Sequence, residues 1–426
     1  MIRQARLGQM WSTSVWNRLT PIFLFSSGSN KNRQRSFPLA HIVEQAEAGV
    51  KMTIQLIVDQ NGTEKLADAL QGKRRIAVDL EAAGFHRYSD QVCLLQLSTA
   101  DETFVVDTLA VDPSDVLRTP FESPDVRILV HGGDYDLRLL DRDLHLHPVN
   151  LFDTQVAAAL LGEPSIGLAS LLEKCFQVHL SKKYQRADWA QRPIPQEMLK
   201  YAASDTQHLH KLTDLLTERL ESLGRLTWAE EESTRLASRR WSDPGEVDPV
   251  TKIKGARYME PREIALIREI CLWRDEIARR LDRALFRVAG DAVLLKVVQE
   301  RPKNKSDLAK IGGFSTQLAQ RSGTDLLQRL DVIDRLEDKH LVGYPRTNLS
   351  GTRRPTPELE EAVNRLKAVR NRKSAELGIE RGLLMSNALL LEIARSHPRT
   401  ERELQVVDGV RRWQVETVAT EILAAL

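Results

Sequence analysis

The stretch Ile76-Ala77-Val78-Asp79-Leu80-Glu81 decides how this chain reads. Its apolar, partly β-branched residues suit a strand, and strand alternation puts Asp79 and Glu81, two residues apart, on one face. Two carboxylates on one strand face repel each other unless water solvates them or a cation compensates them. Outward from this stretch, Ile54 to Val58, Val92 to Leu97, Thr103 to Val106 and Ile128 to Val130 also read as strands. Residues 63–71, 134–143, 153–161 and 196–222 carry helical periodicity. The order is β, α, β, β, β, α, β, α and then mostly helix, which predicts a mixed sheet with helices packed on it.

The chain has 426 residues, enough for two or three domains, with 42% hydrophobic and 28% charged residues. These values suit a soluble globular protein, and no run approaches the ~20 apolar residues of a membrane span. Cys93, Cys175 and Cys271 stand far apart without a Cys-x-x-Cys, so neither a disulfide framework nor a structural zinc site is supported. A reducing, cytoplasmic setting fits. Residues 1–51 read as a disordered or basic arm, because the first 43 hold six Lys/Arg and no acid.

The net charge of +2 conceals an asymmetry: residues 44–251 hold 22 basic and 34 acidic side chains, whereas 252–426 hold 33 and 25. The basic third suits a polyanion and the acidic middle suits cations. Beyond Pro261 the patterns are helical and recur at an offset of 96 residues: Arg274 with Arg370, Leu294 with Leu390, Pro302 with Pro398, Gly313 with Gly409. Two copies of one small helical unit follow. Residues 52–222 then form the first domain, 223–257 a linker, 258–337 and 358–426 the two helical units, and 338–357, rich in Gly and Pro, their connector.

Three more side chains can join the acidic pair. Asp136 lies a turn beyond Gly132-Gly133, and Asp205 lies four residues after Tyr201 on one helix face. Asp134 and Asp153 instead read as helix N-caps. Singly, each site residue is as well explained as surface or core. Together, Asp-x-Glu, a later Asp and Tyr-x-x-x-Asp can build a carboxylate cage for two divalent ions, hard cations that prefer oxygen. His145-x-His147 and His208-x-His210 do not read as helical metal pairs, and no Walker loop or dinucleotide fingerprint is present.

Ile76 to Glu81, His131-Gly132-Gly133-Asp134-Tyr135-Asp136-Leu137 and Tyr201-Ala202-Ala203-Ser204-Asp205 resemble, in order and spacing, the motifs of the ribonuclease D group of 3′-to-5′ exonucleases, the type with four acids and a tyrosine. Leu94-Leu95-Gln96-Leu97, Phe152-Asp153-Thr154-Gln155 and Arg186 to Pro193 support the likeness. One departure is Ala82, where bacterial members carry a bulky aromatic that would pack near the terminal nucleotide. The C-terminal repeat resembles the helicase and ribonuclease D C-terminal (HRDC) module, more clearly in its first copy. The resemblance implies an α/β ribonuclease H-like exonuclease domain, with a mixed sheet flanked by helices, followed by two all-α HRDC-type domains.

The activity so implied is two-metal hydrolysis, with Mg2+ or Mn2+, of RNA 3′ ends such as tRNA precursors, releasing nucleoside 5′-monophosphates. Asp79 would touch both ions, Glu81 and Asp205 would complete the nucleophile-side ion, and Asp136 would hold the other mainly through water. Tyr201 would orient the attacking water, since a phenol with an ordinary pKa near 10 positions water rather than acting as a base at neutral pH. The basic third would be the capture surface, with Arg279, Arg280 and Arg370 as contacts together with Lys182, Lys183 and Arg186 of the catalytic part. Neither a membrane nor an obligate protein partner is expected. The rival readings are a DNA exonuclease of the same superfamily and a non-catalytic nucleic-acid-binding scaffold.

Overall fold

A computed structural model describes residues 53–243, 245–345 and 356–426. The expected arm over residues 1–51 lies outside the described residues, as do residues 346–355 of the connector between the helical units. Six strands build one sheet: β1 (Thr53–Ile57), β2 (Arg75–Ala82), β3 (Val92–Ser98), β4 (Glu102–Asp107), β5 (Arg127–Val130) and β6 (Leu151–Asp153), in the order β1-β4-β3-β2-β5-β6. Only β3 runs antiparallel to its neighbours, β2 and β4; every other pairing is parallel. The mixed sheet expected from the sequence is therefore present.

Alternation along β2 sorts the sheet into two faces. Ile76, Val78 and Leu80 join Leu66, Leu117, Phe121 and Leu137 in one core, beneath α1 (Gln60–Leu70), α2 (Ser114–Phe121) and α3 (Asp134–Leu139). Ala77 faces the opposite way, with Leu129 and Phe152, toward α4 (Thr154–Leu160) and α7 (Leu209–Ser222). Asp79 and Glu81 share that second face. Over it also lies α6 (Gln196–Gln207), pinned by a buried hydroxyl relay in which Ser98 Oγ sits 2.7 Å from Thr206 Oγ1 and 2.9 Å from Thr103 Oγ1.

Several expectations change at this stage. The helix expected over 196–222 is two helices that meet at His208. The helix expected over 134–143 ends at Leu139 and continues as one wide turn over Leu140–Leu144, stopped by His145 in the left-handed region. Residues 223–257 contain α8 (Leu226–Ala237), which packs beside β6 and buries Ala229, Leu236 and Ala237 in the two sheet cores. α5 (Leu168–Phe176) adds Leu171 and Leu172 to the second core.

The two helical modules superimpose in sequence at the 96-residue offset. The first has α9 (Pro261–Arg280), α10 (Leu285–Val288), α11 (Asp291–Glu300), α12 (Lys305–Lys310) and α13 (Thr316–Asp334). The second has α14 (Pro357–Leu377), α15 (Arg381–Leu384), α16 (Asn387–Ser396), α17 (Glu401–Gln405) and α18 (Arg412–Ala424). Arg274 donates to the Ala289 carbonyl (2.9 Å) and to Asp291 Oδ1 (2.7 Å). Arg370 donates to the Met385 carbonyl (3.0 Å) and to Asn387 Oδ1 (2.7 Å), the same contacts 96 residues on.

Arg370 thus departs from the expected nucleic-acid contact: it is 7% exposed, and it ties α14 to the start of α16 inside its own module. Other basic side chains of the second module are engaged too. Lys373 pairs with Glu421 at 2.5 Å, Arg372 with Glu376, Arg411 with Glu232 and Arg412 with Glu416.

Candidate active site

Strand β2 and helix α6 bring three of the carboxylates together: ligand oxygens of Asp79, Glu81 and Asp205 all lie within 4.8 Å of one another. Asp136, in the first turn of α3, is near enough to Asp79 for each charge to disfavour the other. Burial is the largest cause of the raised pKa at all four groups. Glu81 is pushed well above the ordinary carboxylate value by burial and then by Asp79, Asp205 and Asp136, and Asp136 by burial and then by Asp79 and Asp153. Among the described residues none of the four has a salt-bridge partner. A half-buried acidic cluster with no counter-charge is costly, and an oxygen-only donor set of this kind fits hard divalent cations.

The placement of Asp136 depends on Asp153. The Asp153 carboxylate is buried and accepts four backbone N–H groups: Gly132 and Gly133 at 2.9 Å each, Gln155 at 2.8 Å and Val156 at 3.2 Å. It caps α4 as expected and also locks the turn from β5 into α3. Gly132 sits at φ +71, and a Cβ on Gly133 would approach Val130 Cγ2 to 2.9 Å, so the turn requires both glycines. Asp134 is not the cap expected of it; its carboxylate pairs with Arg138 at 2.6 Å and Arg239 at 3.2 Å.

Tyr201 lies one turn before Asp205 on α6, edge-on to Tyr184 (5.9 Å) and tilted against the buried Trp189 (5.9 Å). Burial and then the charges of Asp205, Glu81 and Asp79 raise its pKa, so it remains a neutral phenol at physiological pH. The stretch Arg186 to Pro193 supports this arrangement. Arg192 clamps the buried Asp107 with two 2.6 Å bonds, Asp188 pairs with Arg87 at 2.8 Å, and Trp189 is thereby held against Tyr201.

Gln96 belongs to the site although its position was noted only as part of a supporting motif. It stands directly across from Asp79 in the β2–β3 register, and among the described residues neither atom of its buried amide has a hydrogen-bond partner. Directly opposed antiparallel residues have Cβ atoms about 5 Å apart, within reach of the Asp79 carboxylate. Lys182, Lys183 and Arg186 are exposed on the loop before α6, with the Lys183 ammonium 5.0 Å from the centre of the Tyr184 ring. Arg280 is exposed as well. Arg279 instead bridges the catalytic domain and the first module, donating to Asp275 at 2.8 Å and Tyr88 Oη at 3.2 Å.

Comparison with known proteins agrees with this geometry. A 3′-5′ exonuclease domain profile matches residues 54–221, and the HRDC domain profile matches residues 263–330 and 360–426. Ribonuclease D of Granulibacter bethesdensis is 31% identical, over 84% of this chain and 89% of its own. Ribonuclease D of Pseudomonas paraeruginosa is 30% identical, over 82% and 92%. The crystal structure of Escherichia coli RNase D, an exoribonuclease involved in structured RNA processing, superposes with a TM-score of 0.62 at 24% identity. It covers 88% of this chain and 99% of that one, which shows a shared fold. By site, architecture and relatives, the chain belongs to the ribonuclease D family and is a 3′-to-5′ exoribonuclease.

Proposed function

We propose that this protein trims the 3′ ends of structured RNA, tRNA precursors among them, in the cytoplasm, releasing nucleoside 5′-monophosphates by hydrolysis assisted by two Mg2+ or Mn2+ ions. The observation that carries this reading is the convergence of Asp79, Glu81 and Asp205 within 4.8 Å, with Asp136 close enough to feel the charge of Asp79 and, among the described residues, no basic side chain paired with any of the four. The involvement of the Escherichia coli enzyme in structured RNA processing supports the substrate class.

In this reading Asp79 would serve both ions, Glu81 and Asp205 would complete the one on the nucleophile side, and Asp136 would hold the other. Bound there, such ions activate water and stabilise charge on the phosphate and on the leaving 3′ oxygen. Tyr201 keeps its proton and aligns the attacking water by hydrogen bonding, since its phenol titrates above the ordinary value. The water oxygen bonds to phosphorus, the P–O3′ bond breaks, and the shortened strand leaves with a protonated 3′ hydroxyl. Lys182, Lys183 and Arg280 meet the backbone of the incoming strand through exposed charge.

The test is hydrolysis of matched 3′-end-labelled RNA and DNA oligomers with Mg2+, with Mn2+ and with chelator. Asp79→Ala and Asp205→Ala are expected to abolish metal-dependent release while the melting temperature in chelator is kept or raised. Wild-type turnover by either variant, or hydrolysis of DNA in preference to RNA, would refute the assignment.

A further inference from the structure

The seam between the catalytic domain and the first helical module carries an aromatic and basic surface that the carboxylate site does not use. Phe85 ends the short turn Ala83–Phe85, four residues after Glu81, and is 38% exposed; Phe286 on α10 is 47% exposed. Their ring centroids lie 5.3 Å apart. Docking of the module leaves both rings open to solvent, which is unusual for phenylalanine at a domain junction. The guanidinium groups of Arg186, from the catalytic domain, and Arg287, from α10, lie 5.6 and 5.7 Å from the Phe85 ring centre. Neither has a carboxylate partner among the described residues.

The seam is held in register by main-chain bonds. The Ala284 N–H donates to the His86 carbonyl at 3.1 Å, and the His86 ring N–H donates to the Arg186 carbonyl at 2.9 Å. We propose that this seam grips the single-stranded 3′ tail of the substrate, with a base stacked on the exposed Phe286–Phe85 surface and a phosphate held by Arg186 and Arg287. Exposed rings interleaved with guanidiniums that no carboxylate neutralises are what sequence-tolerant single-strand recognition needs, since every base offers a π-face and every nucleotide a phosphate. Four residues of chain span at most about 14 Å, and stacked nucleotides advance about 3.4 Å each. The gripped nucleotide therefore lies at most about four positions upstream of the scissile bond, and we assign it to a position beyond the second, which a dinucleotide lacks.

This inference rests on the reading of the protein as an RNA-trimming enzyme. It is tested by measuring the hydrolysis of a single-stranded RNA of about twelve nucleotides and of a dinucleotide, together with oligomer binding in chelator. The enzymes compared are wild type, Phe286→Ala, Phe286→Trp and Arg287→Ala. Phe286→Ala is expected to raise KM and Kd for the oligomer about tenfold, with kcat and all dinucleotide kinetics unchanged. Phe286→Trp restores affinity, and Arg287→Ala weakens binding with a shallower salt dependence. Unchanged oligomer KM in Phe286→Ala, or an equal loss on the dinucleotide, overturns the seam while leaving the exoribonuclease reading standing. A wild-type enzyme inert on RNA overturns both.

Discussion

The two helical modules are copies of one unit, yet they meet the catalytic domain in opposite ways. The first keeps a core of its own, built around Trp273, Ile267, Leu294 and Leu326, and reaches the catalytic domain through polar and aromatic rim contacts. Tyr88 Oη donates to Asp275 at 2.9 Å, and Arg87 pairs with Asp282 at 3.3 Å. The second has no separate core. Leu366, Leu390, Ile393, Trp413 and Ile422 are continuous with Leu160, Leu212, Leu216 and Ala229 of the catalytic domain in one apolar cluster. Trp413 stacks on Trp228 at 4.7 Å, and its indole N–H donates to Glu232, a carboxylate only 6% exposed that also takes Arg411 at 3.0 Å. The chains approach so closely that a Cβ on Gly162 would overlap the Gly378 carbonyl. The two copies thus differ: the second is a structural wall of the catalytic domain, and the first keeps a core of its own with Arg280, Arg283 and Arg287 exposed.

The largest test of this contrast is truncation after Tyr344, which removes the second module. Because α4, α7 and α8 would then expose the apolar surface they now bury, the expected product is insoluble or lacks a cooperative melt, and has no nuclease activity. A soluble, active truncation would dissolve the distinction. The basic third as a whole is therefore not a detachable capture surface, as the charge asymmetry alone had suggested.

A finer test compares the equivalent of a core deletion in each module. Trp413→Ala and Trp273→Ala each remove a fully buried indole, at a cost of about 3–5 kcal/mol. Trp413→Ala is expected to lower the urea midpoint at which dinucleotide hydrolysis is lost. Trp273→Ala should leave that midpoint in place and destabilise only the transition of the first module. Equal shifts in activity would mean that all three domains unfold as one.

Much of this was legible in the sequence because the decisive signals are local. A spacing of two puts Asp79 and Glu81 on one face of β2, and a spacing of four puts Tyr201 one turn before Asp205 on α6, without reference to anything distant. β6, only three residues long, is too short for alternation to show. What escaped was charge whose partner lies far along the chain. Glu230-Glu231-Glu232 reads as a solvated break, yet Glu231 accepts the Arg412 and Trp413 N–H groups at 2.7 and 3.0 Å and Glu232 takes Arg411, some 180 residues away. Arg370 looks like its basic neighbours, and only the fold reveals that it is occupied. Gln96 looks like a polar residue in a buried strand, and only the β2–β3 register sets it opposite Asp79.

The smallest expected effect separates the two units by charge. In the metal-free protein burial raises Asp79 from 3.8 to about 7 and Asp205 from 3.8 to about 8. As pH rises above about 4 the unfolded chain releases these protons while the folded chain retains them. The unfolded state then binds fewer protons, and stability falls with pH until about pH 8, where the folded groups have also ionised. Divalent cations bind the ionised form, so the stabilisation they provide grows over the same interval. In chelator, the transition of the catalytic domain and second module should move to lower temperature between about pH 5 and about pH 8, and Mn2+ should restore it. Asp205→Asn should flatten that slope. The first module, with its own core and no part in the carboxylate cluster, should melt at a temperature indifferent to both chelator and Asp205. A metal response carried equally by both transitions would show that the seam at Phe85 and Tyr88 couples the domains as tightly as the shared core does.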